Sequence, residues 1–369
     1  MNRKILILII SVLIFSVALI TLLYILSNNQ DHNNFFREFP TEPILLSNTF
    51  DVKYNSYYLA GVSSDYVYLG NKTAQLHLLI VNTYKMDTTH NQIYVENLEK
   101  LGLTSVFVKV DSPYFYLVDG LRPAILRGTL EKLKATRYIY DSVFFNELVP
   151  ISRTSFALRT LNNHNENIFV KLKIDTPYVV FFPGILKKQI DGMFCTDGML
   201  HHNPYLNQLT YIYYYRNQFI SLDTSFNVLY RGNTIDTTTK AKIKIAKIRS
   251  DNSITMAAPP LIVNKKSTIF KNLLFINSNL IAENENPKNF DEASVIDIYN
   301  LINGVYLFSF YIPKYKGYKM SSFKVYKDKL IALHDHYLTI YQLNADYFGQ
   351  NLNLSSFNQI KANLSHEAN

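Results

Sequence analysis

The feature that most constrains the fold of this chain is a pair of apolar runs that recurs along it. Each copy is a run of Tyr, Phe, Leu, Ile or Val, then a polar or glycine-containing turn, then a second apolar run. Such runs predict β-strands. The copies begin at positions 65, 114, 155, 209, 273 and 329, at uneven intervals. The shorter intervals match the blade repeat of a β-propeller, which is about 40–50 residues with four strands to a blade.

Many of these strands carry apolar residues at both alternating positions, as in 66–69 and 273–276. That pattern indicates burial on both faces of a sheet. A small sheet with two apolar faces must stack on neighbours, and a closed ring of such sheets hides every face. We therefore predict an all-β protein with a β-propeller over residues 44–343. Six blades fit the six copies, and seven blades or a pair of β-sandwich domains are the alternatives. The wider intervals require inserted loops, such as the polar stretch 282–291.

Composition supports strands over helices. The chain has 28 Tyr, 24 Phe and no Trp, and aromatic residues are enriched in strands. Charged residues make up 18% of the chain, too few for a disordered protein. Short helices are predicted only at 97–103 and 128–133. The polar tail, 344–369, is expected to be partly disordered.

The N-terminus carries a long apolar run, Ile5–Leu26. As a helix it would be about 33 Å long, enough to cross a bilayer. No small-residue cleavage site follows the run, which favours an uncleaved signal-anchor over a cleaved signal peptide. Arg3 and Lys4 precede it, so residues 1–4 are expected in the cytoplasm. After a linker over 27–43, the propeller would lie in the periplasm or another extracytoplasmic space, held at the inner membrane.

The net positive charge of the chain does not indicate a nucleic-acid partner. The net charge is +8, and the densest basic run is Lys240–Arg249. Its lysines alternate with apolar residues, which is typical of a strand with one solvated face. No nucleic-acid-binding motif accompanies it. The single cysteine, Cys195, cannot form an intramolecular disulfide.

The densest group of reactive side chains contains Cys195, Asp197, His201 and His202. Cysteine, histidine and aspartate can bind a metal ion, and a cysteine beside a histidine can act as a nucleophile. The spacing fits no zinc signature, however, and Asp191-Gly and Asp197-Gly are turn-forming pairs. We prefer the interpretation of two turns around a small core cysteine.

Two further groups have a chemical and a structural interpretation. His334 and His336 would share one face of a strand and could chelate a metal, but a hairpin turn explains them more simply. Arginines near strand ends could form an anion-binding funnel in the channel, or could be solvated blade edges. These arginines are Arg122, Arg127, Arg153, Arg159, Arg216 and Arg231.

The segment Val295–Pro313, VIDIYNLINGVYLFSFYIP, resembles a phrase found in six-bladed propellers of Bacteroidota envelope proteins, which share a TolB-like or NHL-like pattern. In them one strand ends in an Ile-Tyr-Asp-Leu-like turn, and the next begins with Gly-x-Tyr-Leu-x-Ser-Phe-x-Ile-Pro. The resemblance covers residues 44–343 and implies a propeller fold. It implies no functional residues, because the matched positions are core and turn positions.

These observations give two functional hypotheses. The first is an anchored binding or scaffold module for a protein, peptide or glycan at the cell envelope, with no cofactor. The second is a propeller enzyme of the hydrolase or lyase type, with its site at one mouth of the channel. No glycine-rich phosphate loop, Gly-x-Ser-x-Gly turn or His-Glu-x-x-His helix supports the second.

Overall fold

The computed structural model describes residues 3–28, 34–140, 142–248 and 253–349. An N-terminal helix, α1 (Arg3–Asn28), precedes strand β1 (Ile44–Asp51). Its described apolar side chains, such as Leu13 and Phe15, are exposed. Within these ranges no helix combines the length and the apolar character of a membrane-crossing segment, so the structure does not support the predicted span over 5–26.

The described residues from β1 onward form six blades, numbered 1 to 6 in chain order, and one separate two-stranded sheet. Blade 1 contains β2 (Tyr57–Val62), β3 (Tyr66–Asn71), β4 (His77–Asn82) and β5 (Asp87–Gln92). Blade 2 contains β6 (Tyr94–Val95), β7 (Phe107–Asp111), β8 (Tyr114–Asp119), β9 (Ala124–Thr129) and β10 (Lys134–Tyr140), with helix α2 (Leu98–Leu101) between β6 and β7. Blade 3 contains β11 (Glu147–Ser152), β12 (Ser155–Leu161), β13 (Asn167–Lys173) and β14 (Val179–Phe182).

The second half of the ring has the same plan with one insertion. Blade 4 contains β15 (Gly198–Asn203), β16 (Gln208–Tyr213), β17 (Gln218–Asp223) and β18 (Val228–Asn233). A separate hairpin follows, formed by β19 (Ile245–Lys247) and β20 (Ile254–Met256). Blade 5 contains β21 (Asn264–Phe270), β22 (Leu273–Ser278), β23 (Ala293–Asn300) and β24 (Tyr306–Pro313), with helix α3 (Pro287–Glu292) before β23. Blade 6 contains β25 (Ser322–Tyr326), β26 (Lys329–His334), β27 (Tyr337–Leu343) and β1, and helix α4 (Ala345–Phe348) follows β27.

The ring closes through β1, which joins the two ends of the propeller in one blade. β1 pairs antiparallel with β27, with Ile44 opposite Leu343 and Asp51 opposite Tyr337. The first strands of successive blades lie side by side around the axis, as β15 does between β11 and β21, and β25 between β21 and β2. The described residues thus form an all-β, six-bladed propeller. The alternatives of seven blades and of two sandwiches do not apply.

Counted outward from the strand at the channel, the six predicted strand pairs are the second and third strands of the six blades. β22 and β23 illustrate the reason, because all their residues are buried. Blades 5 and 6 share an apolar core that includes Phe275, Ile298 and Leu330. Each such fully buried side chain contributes about 1.5–3 kcal/mol relative to an exposed one.

The chain after α1 lies against blade 5. Arg37 is buried there, with its Nε 2.7 Å from Asp297 Oδ1 and its Nη1 in an ion pair with Glu285. Phe39 stacks on Tyr311 with ring centroids 4.8 Å apart. Of the linker predicted over 27–43, residues 29–33 lie outside the described residues, and residues 35–39 are fixed to the propeller.

Three local predictions have mixed outcomes. The predicted helix at 97–103 is present as α2, whereas 130–132 form the turn between β9 and β10, so the predicted helix there is wrong. In the described part of the basic run, 240–248, only 245–247 form a strand, although Ala241 and Ile243 are buried between exposed lysines as the alternation indicates. Most of the tail, from residue 350 onward, lies outside the described residues.

Candidate functional site

Neighbouring blades do not meet in the same way around the axis. Between blades 1 and 2 the first strands touch, because a Cβ atom on Gly61 would lie 2.6 Å from the backbone oxygen of Val110. Tyr58 adds a bridge, since its hydroxyl accepts a hydrogen bond from the Val108 backbone N–H at 2.7 Å. Between blades 2 and 3, by contrast, β7 and β11 enclose a cavity of about 600 Å³ that extends to β2 and β25. We call this space the channel cavity.

The walls of the channel cavity are mainly apolar. The apolar side chains that line it include Tyr58, Leu59, Phe107, Val110, Leu121, Phe145, Val149 and Pro150. Phe107 and Leu121 stand at its opening, with 45% and 69% of their surfaces exposed. Exposed apolar side chains beside a concave apolar wall are typical of a ligand site.

The loop before β11 forms part of the wall because Gly120 lets it approach blade 2. The Phe145 backbone N–H donates a hydrogen bond to Gly120 O at 3.2 Å. A Cβ atom at position 120 would lie 1.9 Å from Phe145 O, so only glycine allows this contact. Beyond the contact, a second cavity of about 800 Å³ extends towards Phe144 and Phe181.

Two lysines, Lys109 and Lys324, and two acidic residues, Asp111 and Glu147, bring charge into the channel cavity. Lys109 Nζ donates to Leu148 O at 2.8 Å and lies 3.3 Å from Glu147 Oε1. Lys324 reaches the cavity from β25 on the other side of the channel. Burial, assisted by the positive charge of Lys109 and opposed by Glu147, lowers the pKa of Lys324 to about 8. Lys109 thus has a carboxylate partner in Glu147, whereas no hydrogen bond or ion pair joins the Lys324 ammonium group to another described residue.

His201 lies near these lysines but has its own partner. Its Nε2 is 2.7 Å from Ser267 Oγ, in the next blade. Burial lowers the pKa of His201 to about 3, with smaller contributions from Lys324 and Lys109. The imidazole is therefore neutral near pH 7, and its hydrogen bond joins blades 4 and 5.

The structure separates the members of the predicted reactive group. Cys195 is fully buried, and its Sγ donates to Asp191 O at 2.6 Å. Asp197 pairs with Arg159 at 2.5 Å. His202 lies at the backbone of Pro150 in blade 3, on the other side of β15 from His201. In the described ranges, no three His, Cys, Asp or Glu side chains are grouped so that they could hold a metal ion.

His334 and His336 lie on either side of the turn between β26 and β27. His334 is fully buried, with Nδ1 3.0 Å from Tyr318 O and Nε2 3.1 Å from Thr339 Oγ1. His336 Nδ1 is 2.8 Å from Asp51 Oδ1, at the end of β1. Each histidine thus has separate partners, and both belong to a hairpin turn.

The arginines that were candidates for an anion funnel are distributed over several blades. Arg122 is exposed in the turn between β8 and β9. The Arg127 guanidinium lies 3.9 Å from the ring centroid of Tyr138, and Arg153 lies beside Tyr114. Arg231 donates from Nη2 to a backbone oxygen of the loop before β15, at 2.7 Å.

Two of these arginines are buried. Arg159 donates to Tyr211 Oη at 2.6 Å and to Gly198 O at 2.9 Å, besides its ion pair with Asp197. Arg216 lies 3.7 Å from the ring centroid of Tyr213, and its Nε and Nη1 have no hydrogen-bond partner among the described residues. None of the six arginines is among the described residues that line the channel cavity.

Sequence reasoning did not select Lys109, Glu147 or Lys324. A weak signal was present, because Lys109 and Lys324 each interrupt a short apolar strand, at Phe107-Val-Lys-Val and Phe323-Lys-Val. That signal is equally typical of a strand with one solvated face.

Comparison with known proteins shows the fold and no family. No family model matches the sequence, and no curated protein sequence is similar to it. The structure is similar to a member of the DUF4221 family from Bacteroides vulgatus, with a TM-score of 0.52 and 14% identity over 82% of this chain and 97% of that one. It is also similar to a catalytically inactive virginiamycin B lyase from Staphylococcus aureus (TM-score 0.46, 11% identity, 80% and 99% covered). BamB from Moraxella catarrhalis is a further similar structure (TM-score 0.42, 10% identity, 81% and 99% covered). At 14% identity, the similarity to the DUF4221 member supports the propeller fold alone.

Proposed function

We propose that this protein is a binding or scaffold module of the cell envelope, and that the mouth of its channel cavity is the surface that meets a protein, peptide or glycan partner. The cavity of about 600 Å³ supports this, because it combines apolar walls with a few polar groups. The exposed side chains at its opening, Phe107 and Leu121, would contribute apolar contact area.

The contacts of the candidate catalytic residues do not favour the alternative of a hydrolase or lyase. A nucleophile needs a base within hydrogen-bond reach. Cys195 Sγ instead donates to a backbone oxygen, His201 contacts Ser267, and Asp197 is engaged by Arg159.

Anchoring at the inner membrane is also part of the proposal and rests on the sequence. The apolar run Ile5–Leu26 follows two positive charges, an arrangement that keeps the N-terminus in the cytoplasm and exports the propeller. The relation to envelope propellers of Bacteroidota is proposed on the segment Val295–Pro313. The contacts of Arg37 and Phe39 with blade 5 fix the start of the propeller that such an anchor would hold at the membrane.

Site-specific photo-crosslinking in native membranes tests the proposed binding surface. A photoreactive residue replaces Leu121, at the mouth of the channel cavity, or Ile302, in a turn of blade 5 outside the cavity. The two side chains are matched in exposure, at 69% and 65%. We expect one recurrent crosslinked species from position 121 that position 302 does not give. The same pattern of products from both positions would contradict the proposal.

A further inference from the structure

We infer that the channel cavity binds a small organic anion with an apolar body, and that Lys324, supported by Lys109, holds its carboxylate or related acidic group. The inference rests on the proposed function, since it names the ligand class of that same site. It depends on three features of the cavity, which are an unpaired cation, the balance of the surrounding charges and the apolar walls.

Lys324 is the unpaired cation. In the described part of the chain its ammonium group has no hydrogen-bond or ion-pair partner, although the side chain is only partly exposed. Burial of a charge without a partner is unfavourable. An anion in the cavity would supply the missing partner through a charge-assisted hydrogen bond.

The surrounding charges favour one acidic group and not a polyanion. Lys109 already pairs with Glu147, so the pair leaves the charge of Lys324 uncompensated. Asp111 also lines the cavity, two residues after Lys109 on β7, and is not among the charges that act on Lys324. From β15 the facing group is His201, which is neutral near pH 7, and β2 contributes Tyr58.

The apolar walls select the rest of the ligand. Phe107, Phe145 and Val149 can cover an aromatic or aliphatic body. The volume of about 600 Å³ lies within the range of small-molecule sites, about 300–1,000 Å³. A free inorganic ion would leave most of this apolar surface uncovered.

Calorimetric titration of the purified full-length chain in detergent tests the inference with two ligands of nearly equal size. Naphthalene-2-carboxylate carries the acidic group, naphthalene-2-carboxamide is its neutral counterpart, and protein-free micelles give the blank. We expect the carboxylate to bind at least about tenfold more tightly at pH 7, the effect of one charge-assisted hydrogen bond.

The preference for the carboxylate over the carboxamide should also fall as the pH rises from 7 to 9.5. The pKa of Lys324 is about 8, so the free site loses its positive charge over this range. Bound anion raises that pKa, and the loss of affinity is therefore shifted to somewhat higher pH.

Three variants identify the responsible group. Lys324→Met should abolish the preference for the carboxylate, and Lys324→Arg should retain most of it. Lys132→Met, at an exposed lysine in a turn of blade 2, should bind like the unmodified chain. Equal affinity for the two ligands, or a preference that survives Lys324→Met, would overturn the inference. A recurrent crosslink through position 121 without any carboxylate preference would overturn it and leave the proposed function standing.

Discussion

At the scale of single residues, the most consequential contact is the buried ion-pair group of Arg37, Glu285 and Asp297. Arg37 donates from Nε to Asp297 Oδ1 at 2.7 Å and from Nη1 to Leu280 O at 2.9 Å. Desolvation opposes the charged guanidinium, but the two carboxylates outweigh it and raise the pKa of Arg37. The group is satisfied only while all three members are present.

Replacement of Arg37 by Met should therefore destabilise the propeller. The variant leaves two carboxylates buried without their cation, and loss of one member of a buried pair typically lowers the free energy of unfolding by about 3–5 kcal/mol. Urea unfolding of the full-length chain measures the change. Arg122→Met, at an exposed arginine, is the control and should change stability by less than about 0.5 kcal/mol. Equal stability of the two variants would show that Arg37 does not fasten the N-terminal segment.

His201 should make the fold sensitive to acid. Its pKa is lowered to about 3 in the folded protein, whereas an unfolded chain has an imidazole pKa of about 6.5. Below pH 6.5 the unfolded chain binds a proton that the folded protein does not, so stability falls as pH falls, by up to about 1.4 kcal/mol per pH unit.

Replacement of His201 by Gln tests this coupling. The glutamine can still donate a hydrogen bond to Ser267, but it does not titrate. Between pH 7 and pH 5 the variant should lose up to about 2 kcal/mol less stability than the unmodified chain. His164→Gln, at an exposed histidine, is the control and should leave the acid sensitivity unchanged. If both variants respond to pH alike, His201 does not cause the acid sensitivity.

At the scale of elements, closure of the ring depends on β1. This strand supplies the outer edge of blade 6. It pairs with β27 from Ile44, opposite Leu343, to Asp51, opposite Tyr337, with one bulge. Without it, β27 would expose an unpaired strand edge, which is a site of aggregation.

Two truncations separate the role of residues 1–33 from that of residues 34–52, which contain Arg37 and β1. A chain of residues 34–369 keeps β1 and the Arg37 contacts and should unfold cooperatively like the full-length protein. A chain of residues 53–369 lacks both and should be unfolded or aggregated. Size-exclusion chromatography and circular dichroism distinguish these states. A monomeric, cooperatively folded 53–369 chain would show that the remaining strands close the ring without β1.

The central strand pairs show why some elements can be predicted from sequence and others cannot. The second and third strands of each blade are buried on both faces, so their continuous apolar runs were visible, as in β22 and β23. First and fourth strands lie at the channel or at the outer edge. β5, with the sequence Asp-Thr-Thr-His-Asn-Gln, is mostly exposed and has no apolar pattern. Pairing with β4 alone makes it a strand.

At the scale of the whole molecule, the proposed anchor gives a simple prediction for distribution between membrane and solution. The full-length chain, expressed in a bacterial host, should stay in the membrane fraction after an alkaline carbonate wash. Residues 34–369 without the apolar run should appear in the soluble fraction. The anchor is proposed from the apolar run Ile5–Leu26 of the sequence, and the shorter chain lacks this run. Release of the full-length chain by carbonate would contradict the proposed anchor.

The sequence by itself determined the class of fold, the number of repeats and the position of the central strands. A strand that is buried on both faces needs apolar residues at consecutive positions, and such runs are visible in the sequence. It could not determine the candidate site. Lys109, Glu147 and Lys324 lie on three different blades, and closure of the ring alone brings them to one cavity. The same holds for Arg37, whose partners Glu285 and Asp297 are distant along the chain. Contacts of this kind depend on distances in space that no local pattern records, so only the tertiary structure decided them.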